Sequence, residues 1–353
     1  MRILLTHVYA WPEVRRGGER YLHELGAALV ADGHDVTIVS TAPRPRRDTV
    51  LGVDVVYLPR RHRLRRYREL APEACFGLEV LLRRALSRVD VWHALGTADG
   101  AAAATLARLR PGVRSVYTDL GNPQRAWRES RPDAALHRRI VRHVDEYVCL
   151  SEFSHRMLVE DFGRRGRVVG GGVDINRFVP SAPRSEVPTL LFSGNPDDPR
   201  KNLSLLIEAV SILRERGAPV RLIVSGQATR PLGLPEWVDF SGAGSLDQLP
   251  ALYSAAWATV LPSVHEAFGL ALVESLACGT PVVALRDGGG SAELVTPAVG
   301  ALAATSAADL ARACGAAIEL AGRAGAVVDA CREAARPHDW RTGVLPRLLA
   351  AYR

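Results

Sequence analysis

The stretch ATVLPSVHEAFGLALVESLACGTPVVAL, residues 258–285, contains a strand–helix–strand unit. The apolar runs 258–262 and 280–285 predict two buried strands, and a helix is predicted to begin near Phe268. Two strands joined through a helix lie parallel in one sheet, because the crossover returns the chain to the same end of the sheet. This stretch therefore predicts a parallel α/β sheet, in which ligands bind at the carboxyl ends of the strands.

The same alternation of apolar runs and helical patterns extends over the rest of the chain. Apolar residues recur at helical spacing in 19–31 and 203–216. Further strands are predicted at 2–9, 35–40, 53–58, 89–95, 114–119, 146–151, 167–173, 189–194, 220–226 and 237–241. Three prolines interrupt the alternation at 176–189 and indicate a linker. The sequence thus predicts an α/β protein of two doubly wound domains that face a cleft.

Length and composition exclude several classes of protein. The chain has 353 residues, 47% of them hydrophobic, which suffices for two domain cores. No apolar run approaches the ~20 residues that a membrane-spanning helix needs, and the short run after Met1 predicts a strand rather than a signal peptide. The five cysteines form no C-x-x-C pair. We therefore expect neither a disulfide scaffold nor a zinc site, and we predict a cytoplasmic location.

Basic residues are concentrated in the first half of the chain. Residues 1–180 carry 30 Arg and 21 Asp or Glu, a net charge of +9, whereas the remaining residues carry −2. The run RRHRLRRYR at 60–68 is either a solvated face or a contact for an anionic acceptor or the inner face of a membrane. Nucleic acid is disfavoured, because aromatic residues make up 6% of the chain and do not alternate with the basic ones. Lys201 is the single lysine among 45 basic residues, and all the others are arginine. A lysine without a specific role is therefore less expected at this position.

Two acids flank a predicted anion site in the stretch 258–285. The backbone N–H groups of Phe268, Gly269 and Leu270 lie at the positive end of a predicted helix, where a phosphate is favoured. Glu266, at the end of the strand, is placed to hydrogen-bond the group that the phosphate carries. Glu274 is placed to hold a polyol such as ribose. The alternative is that both acids simply complement the helix dipole.

Other predicted strand ends also carry candidate residues. Lys201 follows the loop GNPDDPR, and its ammonium either closes on a diphosphate or is an ordinary solvated charge. Gly17 and Gly18 open the first predicted helix but lack the G-x-G-x-x-G spacing of a nicotinamide-binding site. His93 and Asp119 end two strands, where doubly wound enzymes keep polar residues, although a lone histidine is more often structural.

Four stretches together resemble retaining glycosyltransferases of the family 4 type. They are GGERYLHELGAALVADGHDVTIVS, VGGGVDINRF, the loop before Lys201, and HEAFGLALVESLACGTPVVAL with GGGSAELV. The E-x7-E spacing of Glu266 and Glu274 is the most specific of these features, and the resemblance extends to the final HDWRTGVLPRLLAAYR. It implies the GT-B fold with two Rossmann-like domains. These are an acceptor domain at 1–177, to which a C-terminal helix at 340–353 returns, and a donor domain at 185–338.

The resemblance also implies a role for each candidate residue. Glu266 matches the acid at the reacting end of the donor sugar, Glu274 the acid on the ribose hydroxyls, and Lys201 the diphosphate lysine. The predicted catalytic residues are Glu266, Lys201, His93 and Asp119. The predicted donor-binding residues are Gly17, Gly18, Gly194, Asn195, Arg200, Lys201, Gly226, Phe268, Gly269, Leu270 and Glu274. No metal or cofactor is expected. The implied partners are a nucleotide diphosphate sugar, most often a UDP-sugar, and a hydroxyl acceptor.

Two positions depart from the family pattern. Asn195 stands where the family usually has arginine, so Arg200 is a candidate to supply that charge. Thr118 precedes Asp119, where the family usually has histidine. Two alternatives to glycosyl transfer stay open. A GT-B epimerase or hydrolase of nucleotide sugars would use the same donor cleft without a sugar acceptor, and the two departures leave open a sugar-nucleotide-binding protein without activity.

Overall fold

The chain forms two compact α/β units. The computed structural model describes residues 1–11, 13, 14, 17–60, 71–82, 88–123, 132–226, 234–242, 246–323 and 325–353, apart from the side chains of 71–74, 132 and 133. Unit 1 comprises Met1–Gly170 and Val344–Arg353, and unit 2 comprises Gly171–Gly343. The predicted α/β class with two doubly wound domains is confirmed.

Unit 1 is built on a sheet of eight described strands. They are β1 (Arg2–Thr6), β2 (Asp35–Ala42), β3 (Arg46–Val50), β4 (Val53–Pro59), β5 (Val91–Ala94), β6 (Arg114–Thr118), β7 (Glu146–Cys149) and β8 (Arg167–Val168). Their order across the sheet is β3-β4-β2-β1-β5-β6-β7-β8, and β3 alone among these runs antiparallel to its neighbour. The described helices are α1 (Gly17–Ala31), α2 (Ala71–Leu82), α3 (Thr97–Leu109), α4 (Pro132–His143), α5 (Glu152–Phe162) and, from the C-terminal segment, α11 (Leu345–Ala351).

The central strands of unit 1 are buried on both faces, as parallel strands are when helices cover the sheet. Successive residues Ile3, Leu4 and Leu5 of β1 point to opposite faces, yet each is at most 2% exposed. Trp92 on the neighbouring β5 is also fully buried, and its indole N–H donates to the Thr6 hydroxyl at 2.9 Å. This double burial explains why the strands appear in the sequence as continuous apolar runs.

Unit 2 has a parallel sheet of six described strands. They are β9 (Thr189–Ser193), β10 (Arg221–Ser225), β11 (Val238–Phe240), β12 (Ala258–Leu261), β13 (Val282–Leu285) and β14 (Gly300–Ala303), in the order β11-β10-β9-β12-β13-β14. The described α-helices are α6 (Leu203–Glu215), α7 (Leu249–Ala255), α8 (Leu270–Ala277), α9 (Ala307–Ala321) and α10 (Gly325–Ala335), with 3-10 turns at Pro199–Lys201 and Gly290–Leu294. No described helix of the chain is both long and apolar enough to cross a membrane.

Two described strands were not predicted, and each has a physical reason. β3 has the sequence RRDTV and lies at the edge of its sheet, with its residues exposed or half-buried, so it lacks an apolar pattern. β14 has the sequence GALA at the edge of the other sheet and carries no β-branched residue.

The boundary between the units differs from the predicted linker. Residues 176–188 contain no helix or strand, as predicted, but unit 1 already ends at Gly170. The segment after it is tied into unit 2, because Val173 forms a β-bridge with Asp339. The C-terminal helix α11 belongs to unit 1, where the Arg114 guanidinium donates to the Ala351 carbonyl at 2.7 Å.

Candidate active site

Lys201 and Glu266 meet at the carboxyl ends of two adjacent strands of unit 2. β9 and β12 are neighbours in the sheet, and one of the two residues lies in the loop after each. Lys201 Nζ is 2.5 Å from Glu266 Oε2, and the two side chains are 20% and 19% exposed. The structure thus brings together two candidates that are 65 positions apart in the sequence. Their assignment to a catalytic role stays a prediction.

Backbone contacts hold the two loops against each other. The Val264 amide donates to the Arg200 carbonyl at 3.1 Å, and the Asn202 side-chain amide donates to the Pro262 carbonyl at 3.1 Å. Asn202 has φ +49°, a left-handed conformation that asparagine tolerates better than most residues. The residues that make these contacts lie close to Lys201 and Glu266 in the sequence, so the two loops that carry the ion pair are bonded to each other.

The predicted helix after Glu266 begins at Leu270. Gly269 precedes it with φ +99°, and a Cβ there would lie 3.2 Å from Ser291 Cβ and 3.3 Å from Leu261 Cδ2. The conformation therefore favours glycine, and a side chain here would also be tightly packed against Ser291 and Leu261. Phe268 is 4% exposed, with its ring against Gly171 and 5.3 Å from the His338 ring, so its side chain belongs to the core of unit 2. Backbone amides at a helix start favour an anion, whereas the buried Phe268 side chain is not placed to contact one.

Glu274 lies inside α8 and is only 3% exposed. The Tyr253 hydroxyl donates to Glu274 Oε2 at 2.7 Å and is 3.0 Å from the Ser193 hydroxyl at the end of β9. A buried carboxylate held by a tyrosine is more than a helix-dipole partner, because it has been given a defined orientation. Tyr253 was not predicted, since nothing in its helical pattern distinguishes it from a core residue.

The glycine-rich ends of β9 and β10 pack closely. The Gly194 amide donates to the Ser225 carbonyl at 2.9 Å. A Cβ on Gly226 would lie 1.9 Å from the Gly194 carbonyl oxygen, so Gly226 serves the contact between two strand ends. Asn195 accepts the Asp197 amide with its side-chain oxygen at 3.1 Å, which is an ordinary turn contact.

Arg200 does not point its charge at Glu266. Its guanidinium donates to Asp198 at 2.7 Å, and its side chain is 62% exposed. Burial raises the pKa of Asp198, but the hydrogen bonds and charge of Arg200 together outweigh it and hold this pKa below its ordinary value. Arg200 is thus engaged with Asp198, which speaks against its replacing the charge absent at Asn195.

His93 lies in the buried interior of unit 1. Its side chain is 0% exposed, its Nδ1 is 2.7 Å from the Tyr352 hydroxyl, and its Nε2 is 2.7 Å from the Thr118 hydroxyl. Burial lowers the pKa of His93 to about 3, so its ring is neutral at physiological pH. This placement favours a structural role for His93 over direct contact with a substrate.

Asp119 is also engaged within unit 1. It is 4% exposed, accepts the Tyr147 hydroxyl at 2.8 Å and accepts the Gly121 amide at 3.0 Å. The turn that it caps carries Leu120, whose Cδ1 is 3.1 Å from where a Cβ on Gly18 would stand. Leu120 of this turn thus lies close to Gly18, whose lack of a side chain leaves room for it. Gly17 is the first residue of α1.

Three further observations concern metal ligands, the basic run 60–68 and a residue that was not predicted. Among the described residues, no group of three or more His, Cys, Asp or Glu is arranged to hold a metal ion. Of the basic run 60–68, all but Arg60 lies outside the described residues. Sequence reasoning also missed Asp287, which directly follows the predicted strand 280–285 and Arg286. Its strand-end position was a signal that could have identified it.

Comparison with known proteins gives similar sequences and folds. An MMP alpha-(1->4)-mannosyltransferase of Mycolicibacterium hassiacum is 32% identical over 46% of this chain and 44% of that protein. A GDP-mannose-dependent alpha-(1-6)-phosphatidylinositol dimannoside mannosyltransferase of Mycobacterium tuberculosis is 29% identical over 86% of this chain and 84% of that protein. This chain thus spans less than half the length of the first relative and most of the second. The crystal structure of Anabaena HepE in complex with UDP-glucose matches with a TM-score of 0.77 at 20% identity, over 99% of this chain and 98% of that one.

Family models match both halves of the chain. The model for Glycosyltransferase Family 4 matches residues 15–177, and the model for Glycosyl transferases group 1 matches residues 175–336. Together with the two parallel-sheet units and the fold that they share with the HepE structure, these matches confirm the resemblance to glycosyltransferases. The chain belongs to the glycosyltransferases and has the GT-B fold.

Proposed function

We propose that this protein transfers a sugar from a nucleotide diphosphate sugar to a hydroxyl acceptor, with retention of the anomeric configuration. The observation that carries the proposal is the 2.5 Å ion pair of Lys201 and Glu266 at the ends of β9 and β12. An ammonium and a carboxylate held together near a helix start suit the two charges that develop in this reaction. The leaving diphosphate gains negative charge, and the sugar gains positive charge.

Lys201 stabilises the leaving diphosphate. Before a donor binds, Glu266 neutralises its ammonium, and a diphosphate offers that ammonium a larger negative charge. Because the Lys201 side chain is only 20% exposed, solvent screens the new interaction less than it screens a surface pair. Glu266 is then released toward the sugar at the reacting end.

The transfer proceeds on one face of the sugar. The bond between the anomeric carbon and the diphosphate oxygen breaks as the acceptor oxygen bonds to that carbon, and the acceptor proton passes to the departing phosphate oxygen. Lys201 and the backbone at the start of α8 stabilise the negative charge, and Glu266 stabilises the oxocarbenium-like sugar. No protein nucleophile takes part, and the proposal requires no metal ion.

Glu274 holds the ribose of the donor, and a UDP-sugar is our first choice of donor. The defined orientation of its carboxylate, set by Tyr253, supports a binding role. The UDP-glucose complex of Anabaena HepE supports a uridine nucleotide. The GDP-mannose named for the mycobacterial relative makes guanosine the alternative to test.

The acceptor is a hydroxyl compound bound by the N-terminal domain. The net charge of +9 over 1–180 supports an acceptor with an anionic group, or peripheral contact of this half with an anionic membrane. The named substrate of the mycobacterial relative, a phosphatidylinositol dimannoside, has that chemistry.

A donor screen tests the proposal. UDP-, GDP-, ADP- and dTDP-sugars are compared by thermal shift, since a ligand at 100 times its Kd stabilises the folded state by about 2.7 kcal/mol. We expect one base to raise Tm in the parent and to do so less in Lys201→Ala. The binding sugar is then incubated with hydroxyl acceptors and a chelator, and the anomeric configuration of the product is read by NMR.

Each outcome of that assay favours one function over the others. Transfer with retention in the presence of chelator supports the proposal. Turnover without any acceptor indicates an epimerase or hydrolase, and binding without turnover indicates a silent sugar-nucleotide-binding protein. Activity lost on chelation and restored by magnesium contradicts the metal-independent step.

A further inference from the structure

The loop after β13 holds the loop that carries Glu266. Asp287 accepts two backbone amides with its two carboxylate oxygens: Gly289 donates to Oδ1 at 2.9 Å, and His265 donates to Oδ2. Each is a charge-assisted hydrogen bond, stronger than its neutral counterpart. One half-buried carboxylate therefore ties the loop after β13 to the loop after β12.

The residue that Asp287 holds has an unusual backbone conformation. His265 has φ +50°, which is left-handed and costs a residue with a Cβ of the order of 1–2 kcal/mol relative to ordinary conformations. Such a conformation persists only when surrounding contacts maintain it. The hydrogen bond from the His265 amide to Asp287 is such a contact.

The constrained residue stands directly before Glu266. On the other side of the same acid, the Gly290 amide donates to the Glu266 carbonyl at 2.7 Å. Gly289 lies so close that a Cβ on it would be 3.0 Å from the Glu266 amide nitrogen. The main chain of Glu266 is thus fixed from both sides by the segment 287–290, and this sets the direction in which its side chain leaves toward Lys201.

We propose that Asp287 is a positioning residue of the transfer reaction: it orients Glu266 by holding His265 in the left-handed conformation. The proposal rests on the proposed role of Glu266 in glycosyl transfer. Asp287 itself touches no reacting atom. When it is removed, His265 relaxes toward an ordinary conformation, and the Glu266 carboxylate is no longer aimed at the sugar.

The test uses rescue by glycine, which adopts a positive φ without strain. The variants are Asp287→Ala, Asp287→Asn, His265→Gly and the double variant of Asp287→Ala with His265→Gly. Asp239→Ala is the matched control, since that carboxylate is 51% exposed in a surface pair with Arg221. Steady-state transfer, nucleoside diphosphate binding by calorimetry and Tm are measured for each.

We expect Asp287→Ala to lower kcat by about 10- to 100-fold, as a displacement of about 1 Å does, with nucleoside diphosphate affinity nearly unchanged. Asp287→Asn, which keeps one acceptor oxygen, loses less. The double variant regains most of the loss in kcat and in Tm, because glycine no longer needs the carboxylate. Asp239→Ala behaves like the parent.

Two results would overturn the proposal: kcat of Asp287→Ala equal to that of the parent, or a double variant as impaired as Asp287→Ala in both kcat and Tm. The Tm cycle needs no turnover, so it tests the contact even if the chain transfers no sugar. If the glycine restores Tm but Glu266→Gln has no effect on kcat, the contact is real and the proposed role of Glu266 is what fails.

Discussion

The polar residues that end the strands of the two units differ in what surrounds them. In unit 2, Lys201 and Glu266 are about one-fifth exposed and pair with each other across two loops. In unit 1, His93 and Asp119 are 0% and 4% exposed and are hydrogen-bonded to tyrosines of their own unit. The same sequence rule identified all four. A position at a strand end places a polar residue at the carboxyl edge of a sheet. The burial and hydrogen-bond partners of that residue determine whether it can take part in a reaction.

The partners explain the difference. His93 lies within β5 rather than in the loop after it, and the segment after α11 supplies Tyr352 to cover it. Lys201 and Glu266 lie beyond their strands, on loops whose backbones are bonded to each other. We therefore propose that the charge chemistry belongs to unit 2 and that His93 and Asp119 have a supporting role.

Removal of Lys201 is expected to have the largest effect. Lys201→Ala leaves the diphosphate charge uncompensated and should cost on the order of 100-fold or more in turnover. The fold should survive, because the side chain is part of no core. Steady-state transfer with the donor found by screening measures the loss, with Tm measured in parallel.

Arg200→Ala is the matched control for Lys201→Ala. Its guanidinium is 62% exposed and paired with Asp198, so turnover should stay within a few-fold of the parent. Near-normal turnover in Lys201→Ala, or an equally large loss in Arg200→Ala, would move the diphosphate contact away from Lys201.

Removal of His93 should act on stability rather than on donor binding. His93→Ala leaves a cavity and strands the hydroxyls of Thr118 and Tyr352, which should cost about 2–4 kcal/mol in the free energy of unfolding. Tyr352→Phe removes only one hydroxyl and should cost about 1 kcal/mol. Denaturant unfolding and calorimetry with nucleoside diphosphate give the two readouts. A His93→Ala variant of parental stability that binds the diphosphate poorly would place His93 in the donor site.

Unit 1 should also lose stability in mild acid. Burial lowers the pKa of His93 to about 3 and that of His23 to about 4, whereas an unfolded histidine has a pKa of about 6.5. Between pH 6.5 and 4 the unfolded chain therefore binds protons that the folded chain does not, so stability falls as pH falls. Each histidine contributes a slope of about 1.4 kcal/mol per pH unit.

Unfolding midpoints measured at pH 7.5, 6.0 and 5.0 check this dependence. His93→Gln keeps hydrogen-bonding capacity without a titrating ring, so its slope should be smaller than that of the parent by one histidine. An unchanged slope in His93→Gln would show that the ring does not stay neutral in the folded chain.

Candidate residues that lie close together in the sequence are easier to predict than contacts between distant residues. The helix start at Gly269 and the acids Glu266 and Glu274 lie within nine residues, so a single stretch of chain reveals them. The contact of His93 with Tyr352 spans 259 positions and depends on where α11 packs, which no local pattern encodes. Tyr253 and the edge strand β3 were not predicted, because Tyr253 resembles a core residue and β3 carries charged residues instead of an apolar run.

We propose that the loops of unit 2 form the donor site, with Glu266 at the reacting sugar and Glu274 at the ribose. Calorimetric titration of Glu266→Gln and Glu274→Gln with the nucleoside diphosphate of the donor tests these two roles, beside kcat for both variants. Glu274→Gln should weaken diphosphate binding by about 1–3 kcal/mol, for a lost charged hydrogen bond. Glu266→Gln should bind almost like the parent but turn over slowly, because its contact strengthens only in the transition state. If both variants bind and turn over like the parent, the two acids only complement the helix end and neither holds the donor.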